Sequence, residues 1–145
     1  MFMEKFFLVL SLLFITNMAF AQQSSLAITV SGITHDTGSI VVAVFDSADN
    51  WLSTDADTAA FADASQAVSG ETQVSLLIED IPTGSYALSI FHDVNANDEL
   101  DTNVIGYPQE PFGFSASMGA FGPPNFYKAS IVVGPGLNEI TIAID

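Results

Sequence analysis

Apolar and polar residues alternate in short runs along most of the chain, and Gly and Pro cut the runs apart. Residues 26–30 alternate and stop near Gly32, and residues 40–45, after Gly38, are apolar almost throughout. The second pattern suits a strand buried on both faces. Residues 74–78 alternate next, then residues 86–91 behind the turn Ile81-Pro82-Thr83-Gly84. Residues 129–133 follow, and Pro135-Gly136 separates them from residues 137–144. Evenly spaced strands with such turns predict an all-β fold, a mostly antiparallel sandwich of six or seven strands. Ile28, Val30, Val42, Val44, Leu76, Ile78, Leu88, Ile90, Ile131, Val133, Ile140 and Ile142 are expected to face its core. In residues 40–45 both faces are apolar, so the pattern does not choose the register.

One interruption reads as helical. Thr54-Asp55-Ala56-Asp57 offers a cap and a partnering acid before an Ala-rich stretch with Phe61, which predicts a short helix between the second and third strands. The longest stretch without a strand pattern, residues 93–126, carries Tyr107, Phe112, Phe114, Phe121 and Phe126 among Gly and Pro. Loops longer than about 15 residues are usually functional or disordered, and these aromatics argue against disorder. They are expected to pack against the sandwich.

Within that stretch, residues 93–101 read Asp-Val-Asn-Ala-Asn-Asp-Glu-Leu-Asp. Oxygen-bearing side chains thus fall at the first, third, fifth and ninth positions of one loop, a spacing that suits a hard cation such as Ca²⁺. Asp93 would supply a carboxylate, Asn95 and Asn97 amide oxygens, and Glu99 its main-chain carbonyl. Asp101 would add a carboxylate or a water-mediated contact, and Leu100 would point into the core. Two positions depart from the EF-hand pattern. The turn position is Asp98 where Gly is usual, and the twelfth position is Val104 where a bidentate Glu is usual. Asp tolerates the left-handed conformation; the missing Glu implies fewer ligands and weaker binding. The plainer alternative is an Asx-rich turn with solvated acids.

Charge narrows the partners. Residues 1–21 read as a secretory signal peptide, with Lys5 in a short polar start, an apolar stretch over residues 6–15 and small residues Ala19 and Ala21 at the cleavage site. Thr16 and Asn17 break the apolar run well short of the ~20 residues of a spanning helix. Residues 22–145 then form a single domain, periplasmic or extracellular, not embedded in the membrane after cleavage. Its net charge is −15, with Lys128 its only Lys or Arg. Nucleic acid is excluded as a partner, because phosphate affinity needs Lys and Arg to displace counterions. Anionic lipid is disfavoured for the same reason. The absence of Cys excludes a disulfide framework and a lipid-modified cysteine.

Catalytic constellations are scarce. Gly113-Phe114-Ser115-Ala116-Ser117 starts like a nucleophile elbow but lacks the closing Gly. His92 and Asp93 adjoin in sequence, yet neighbouring strand residues point to opposite faces. His35 lies in a turn, and two histidines without zinc-ligand spacing do not make a zinc site. Asp98, Glu99 and Asp101 crowd an open loop, where a raised carboxyl pKa for glycoside cleavage is not expected. The expectation is no enzyme.

Taken together, Phe91-His92-Asp93-Val94-Asn95-Ala96-Asn97, Leu100-Asp101-Thr102-Asn103, Gly106-Tyr107-Pro108, Gly113-Phe114-Ser115 and Phe121-Gly122-Pro123-Pro124 resemble a family of small secreted bacterial proteins. That family is the bacterial secreted domain-of-unknown-function family 2141. The resemblance covers nearly all of residues 22–145 and implies an immunoglobulin-like or transthyretin-like sandwich and export, with no activity. Its members usually have Gly where Asp98 stands. The Pro-x-Gly-x-Tyr turn also looks like the repeat modules of bacterial surface adhesins, a likeness of fold alone. Two functions follow as expectations. One is an exported calcium-binding module acting on an envelope protein or glycan. The other is a small-ligand or enzymatic site in the aromatic-rich loop 105–127, with Tyr107, Phe112, Phe114 and Phe121 around a pocket and His92 or Asp93 as its polar group.

Overall fold

The computed structural model describes residues 23–53 and 60–145. Eight strands make up most of it: β1 (Ser24–Ser31), β2 (Ser39–Phe45), β3 (Ala62–Ala67), β4 (Gln73–Ile78), β5 (Gly84–Asp93), β6 (Phe112–Phe114), β7 (Ile131–Val133) and β8 (Gly136–Ala143). One short helix, α1 (Phe126–Ala129), precedes β7. One sheet runs β4-β1-β8, and the other runs β3-β2-β5-β6 with β7 on the first residues of β5. The pairing is antiparallel except for β1 with β8, which is parallel. A mostly antiparallel sandwich is therefore correct.

The core lies between the two sheets. Alternation along β1, β2, β4 and β5 sends Ile28, Val30, Val42, Val44, Leu76, Ile78, Leu88 and Ile90 into one buried cluster, joined by Val133 and Ile142. Ile131 and Ile140 pack against it half-buried. The register left open in β2 places Ile40, Val42 and Val44 inward. Phe45 turns to a second cluster with Ala87, Phe126 and Ala129, against which Ala43 and Trp51 rest. So β2 is covered on both faces only toward its C-terminal end.

Strand number differs from expectation. The added strands are β3, whose sequence ADASQA holds no apolar residue larger than Ala and is mostly exposed, and the three-residue β6. An edge strand needs only Ala62 and Ala64 to touch the core, so it leaves almost no apolar alternation to read. The helix expected from Thr54 and Asp57 falls largely outside the described residues; from Ala62, just after Phe61, the chain is extended. The short helix found is α1, capped by the Asn125 side chain, which accepts from Lys128 N; residue 129, expected in a strand, ends it. Among the described residues no helix is long and apolar enough to cross a membrane.

The Pro-x-Gly-x-Tyr turn is held by its tyrosine. Tyr86, buried in the core, donates its hydroxyl back to the Pro82 carbonyl at 2.8 Å. Burial first, and then the negative charge of Asp46, raise its pKa above the ordinary tyrosine value. A raised pKa favours the neutral phenol in the folded state. That contribution holds below the ordinary value and is lost as pH rises through the raised one. Tyr86→Phe is expected to cost about 1 kcal/mol in urea unfolding at neutral pH and to flatten the alkaline fall in stability. An unchanged alkaline limb would show that this hydroxyl is not responsible.

Candidate functional site

The loop 93–101 leaves the end of β5 in a backbone shape set by its own side chains. Asp93, the last residue of β5, is buried. Its Oδ1 accepts from Asn97 N at 3.1 Å and its Oδ2 from Asp98 N at 2.9 Å. Asn95 Oδ1 also accepts from Asn97 N, at 3.2 Å, and Asn97 Oδ1 accepts from Glu99 N at 3.0 Å. These successive side-chain turns wind the loop tightly, and Ala96 and Asp98 take left-handed φ values of 57° and 63°. Asp98 thus adopts a left-handed conformation that Gly takes most readily, as short polar side chains can.

The winding gathers side chains on one side. Asn95 Nδ2 reaches Asp101 Oδ2 at 2.6 Å, and Asn97 Nδ2 reaches Asp101 Oδ1 at 2.9 Å. Asn95, Asn97 and Asp101 therefore meet, with Asp93 tied in through the N–H of Asn97. Glu99 joins by its N–H, while its side chain is exposed. Leu100 is half-buried and lies in neither core cluster, contrary to the expectation that it would point into the core. The amide nitrogens supply the positive edges that let Asp101 sit here without a basic partner. Among the described residues no three His, Cys, Asp or Glu side chains stand together as a metal-binding group.

Glu110 belongs to the same loop and was missed in the sequence. It is 8% exposed, and its Oε1 accepts from Val94 N at 2.8 Å while Oε2 accepts from Asp101 N at 3.1 Å. Its only sequence signal is isolation: no other charged residue occurs between Thr102 and Tyr127. From Asp101 the chain enters a hairpin closed by Gln109 N to Asp101 O at 2.8 Å and by a bridge between Thr102 and Pro108. Asn103 Oδ1 accepts from both Ile105 N and Tyr107 N, and this turn pushes Val104 and Ile105 out into solvent.

The neighbouring histidines and aromatic residues pack as follows. The ring of His92 is fully buried, with Nε2 at 2.7 Å from the Thr37 carbonyl. A carbonyl only accepts, so Nε2 carries the proton, and the buried Nδ1 has no hydrogen-bond partner. His35, exposed as expected, lays its ring edge-on to His92 at 5.7 Å. In the aromatic segment, Phe112 and Phe114 stack edge-to-face at 5.8 Å, and Trp51 meets Phe114 at 5.9 Å and Phe126 at 6.5 Å. Trp51 Nε1 donates to Pro124 O at 2.8 Å, and Ser115 Oγ donates to Ala129 O at 2.6 Å, so the segment is fastened to its own sheet. Tyr107 and Phe121 are exposed instead, Phe121 completely. The four aromatics suggested for a pocket thus divide between packing and solvent.

No curated protein and no solved structure matches the chain. The model of one bacterial family, described as an uncharacterized protein conserved in bacteria (DUF2141), matches residues 28–141. That span takes in both sheets, the 93–101 loop and the aromatic segment, and the chain belongs to this family.

Proposed function

We propose that this is an exported, non-enzymatic binding or structural module whose loop 93–101 is ordered by calcium, and which acts on an envelope protein or glycan. The observation that carries the calcium part is that Asn95 and Asn97 come together on Asp101, their amide nitrogens donating to its two oxygens, beside the buried Asp93 carboxylate. Each amide and carboxylate oxygen in a side-chain turn keeps a second lone pair, so the turns need not break for a cation to bind. Two carboxylates, two amides and a main-chain carbonyl make an all-oxygen donor set. Such a set suits calcium and not zinc, which prefers nitrogen and sulfur. Cation attraction by a chain of net charge −15 works in the same direction. Export rests on the apolar stretch 6–15 and the small residues at 19 and 21. The edge-to-face packing of Phe112, Phe114 and Trp51 gives less support to a ligand pocket in loop 105–127.

Extracellular calcium modules bind at roughly 10⁻⁴ to 10⁻³ M. Millimolar calcium should then add about 0.5 to 1.5 kcal/mol, a rise in Tm of roughly 2 to 6 °C for a domain of this size. Asp93→Ala is expected to abolish that rise while leaving the calcium-free protein folded. A Tm indifferent to calcium and to chelator in the unaltered protein would reduce the loop to an acidic turn.

A further inference from the structure

We propose that Glu110 is the positioning residue of the 93–101 loop, a buried carboxylate that holds the two ends of the loop together and keeps Asn95, Asn97 and Asp101 side by side before any cation arrives. A buried carboxylate is costly unless hydrogen bonds or charges compensate it. Glu110 lies in no ion pair with Lys128, the only Lys or Arg among the described residues, which is exposed. Its compensation comes from two main-chain N–H groups, Val94 at the start of the loop and Asp101 at its end. Hydrogen bonds to an ionised acceptor are about twice as strong as neutral ones. One side chain therefore closes the loop across its mouth.

The support behind Glu110 is rigid. Pro111 O accepts from His92 N at 2.8 Å, which fixes the next residue to β5, and Gln109 N donates to Asp101 O at 2.8 Å, which fixes the one before. The carboxylate is thus held from both flanks while it holds the loop. The same bonds fasten the base of the hairpin that carries Val104 and Ile105, so loop and hairpin are one mechanical unit. A glutamine here retains a single acceptor oxygen and turns an NH₂ toward the other N–H, so it can satisfy one bond and not both. This role rests on the calcium reading only for its effect on affinity; the closure itself needs no cation.

The test compares the full chain with Glu110→Ala and Glu110→Gln by amide exchange in chelator, then by calorimetric titration with Ca²⁺. Without calcium, exchange at Val94 and Asp101 should quicken roughly 10- to 100-fold in Glu110→Ala, the equivalent of losing a hydrogen bond to a charged group. Leu88 and Ile90 should keep their protection. Glu110→Gln should restore one of the two amides, a partial rescue that general loosening would not produce, and it answers the question if the alanine variant fails to fold. Calcium affinity should fall about 10- to 100-fold in Glu110→Ala, as with other groups that orient ligands. Unchanged exchange at Val94 and Asp101, equal loss along all of β5, or unchanged calcium affinity in Glu110→Ala would overturn the role. An unaltered protein that ignores calcium, with the two amides behaving as stated, would remove the calcium reading and sustain the positioning role.

Discussion

Leu88→Ala is expected to lower the free energy of unfolding by about 2 to 5 kcal/mol, the range for a large aliphatic side chain deleted from a packed interior. Leu88 is fully buried in β5 and pairs in register with Val44 of β2, at the middle of the sheet that also carries β3 and β6. The strand beside it, β2, is itself paired on both edges, so the surroundings can relax little into the space left. Chemical denaturation should show a lower midpoint with the slope unchanged. A loss below about 1 kcal/mol would mean that this interior collapses freely, and that the sandwich is less tightly packed than its alternation implies.

Gly38→Ala should be nearly as damaging, for a different reason. Its φ is +93°, and a Cβ there would strike the Asp93 carbonyl oxygen and come within 2.8 Å of Val94 Cα. The left-handed conformation costs an L-residue about 1 to 2 kcal/mol, and displacing backbone at the root of the 93–101 loop adds to it. A total of about 2 to 4 kcal/mol is expected in urea unfolding. Gly70 supplies the control: its φ is +87°, but a Cβ there meets nothing within 4 Å. Gly70→Ala should cost only the conformational part, about 1 to 2 kcal/mol. Equal losses at the two positions would show that the close approach to Asp93 carries no energy of its own.

Much of the sandwich was legible because burial imposes a period. Ile28, Val30, Leu76, Ile78 and Ile90 alternate with exposed or half-exposed residues and all face inward, as does Leu88 beside the buried Ala87. What failed to show were elements whose stability comes from partners distant in sequence. β3 is recruited by hydrogen bonds to β2 with no apolar residue larger than Ala of its own. β6 lies on β5 through three residues, Phe-Gly-Phe. At the loop, spacing alone brought Asp93, Asn95, Asn97 and Asp101 into view, because their side-chain turns are local. Glu110 stayed hidden because its two bonds reach back across the 102–108 hairpin, and no local rule links an acid to amides so far upstream.

The parallel pairing of β1 with β8 has a consequence in time. β1 is the central strand of its sheet, yet Ser24 pairs with Gly136 and Ser31 with Ala143. Among the described strands, β1, the first in sequence, therefore waits for β8, the last. Contacts so far apart in sequence slow folding, because loop-closure entropy is spent before the pairing rewards it. Until β8 arrives, β1 presents an apolar strand with one edge bare, so this sheet is complete only once β8 has been made.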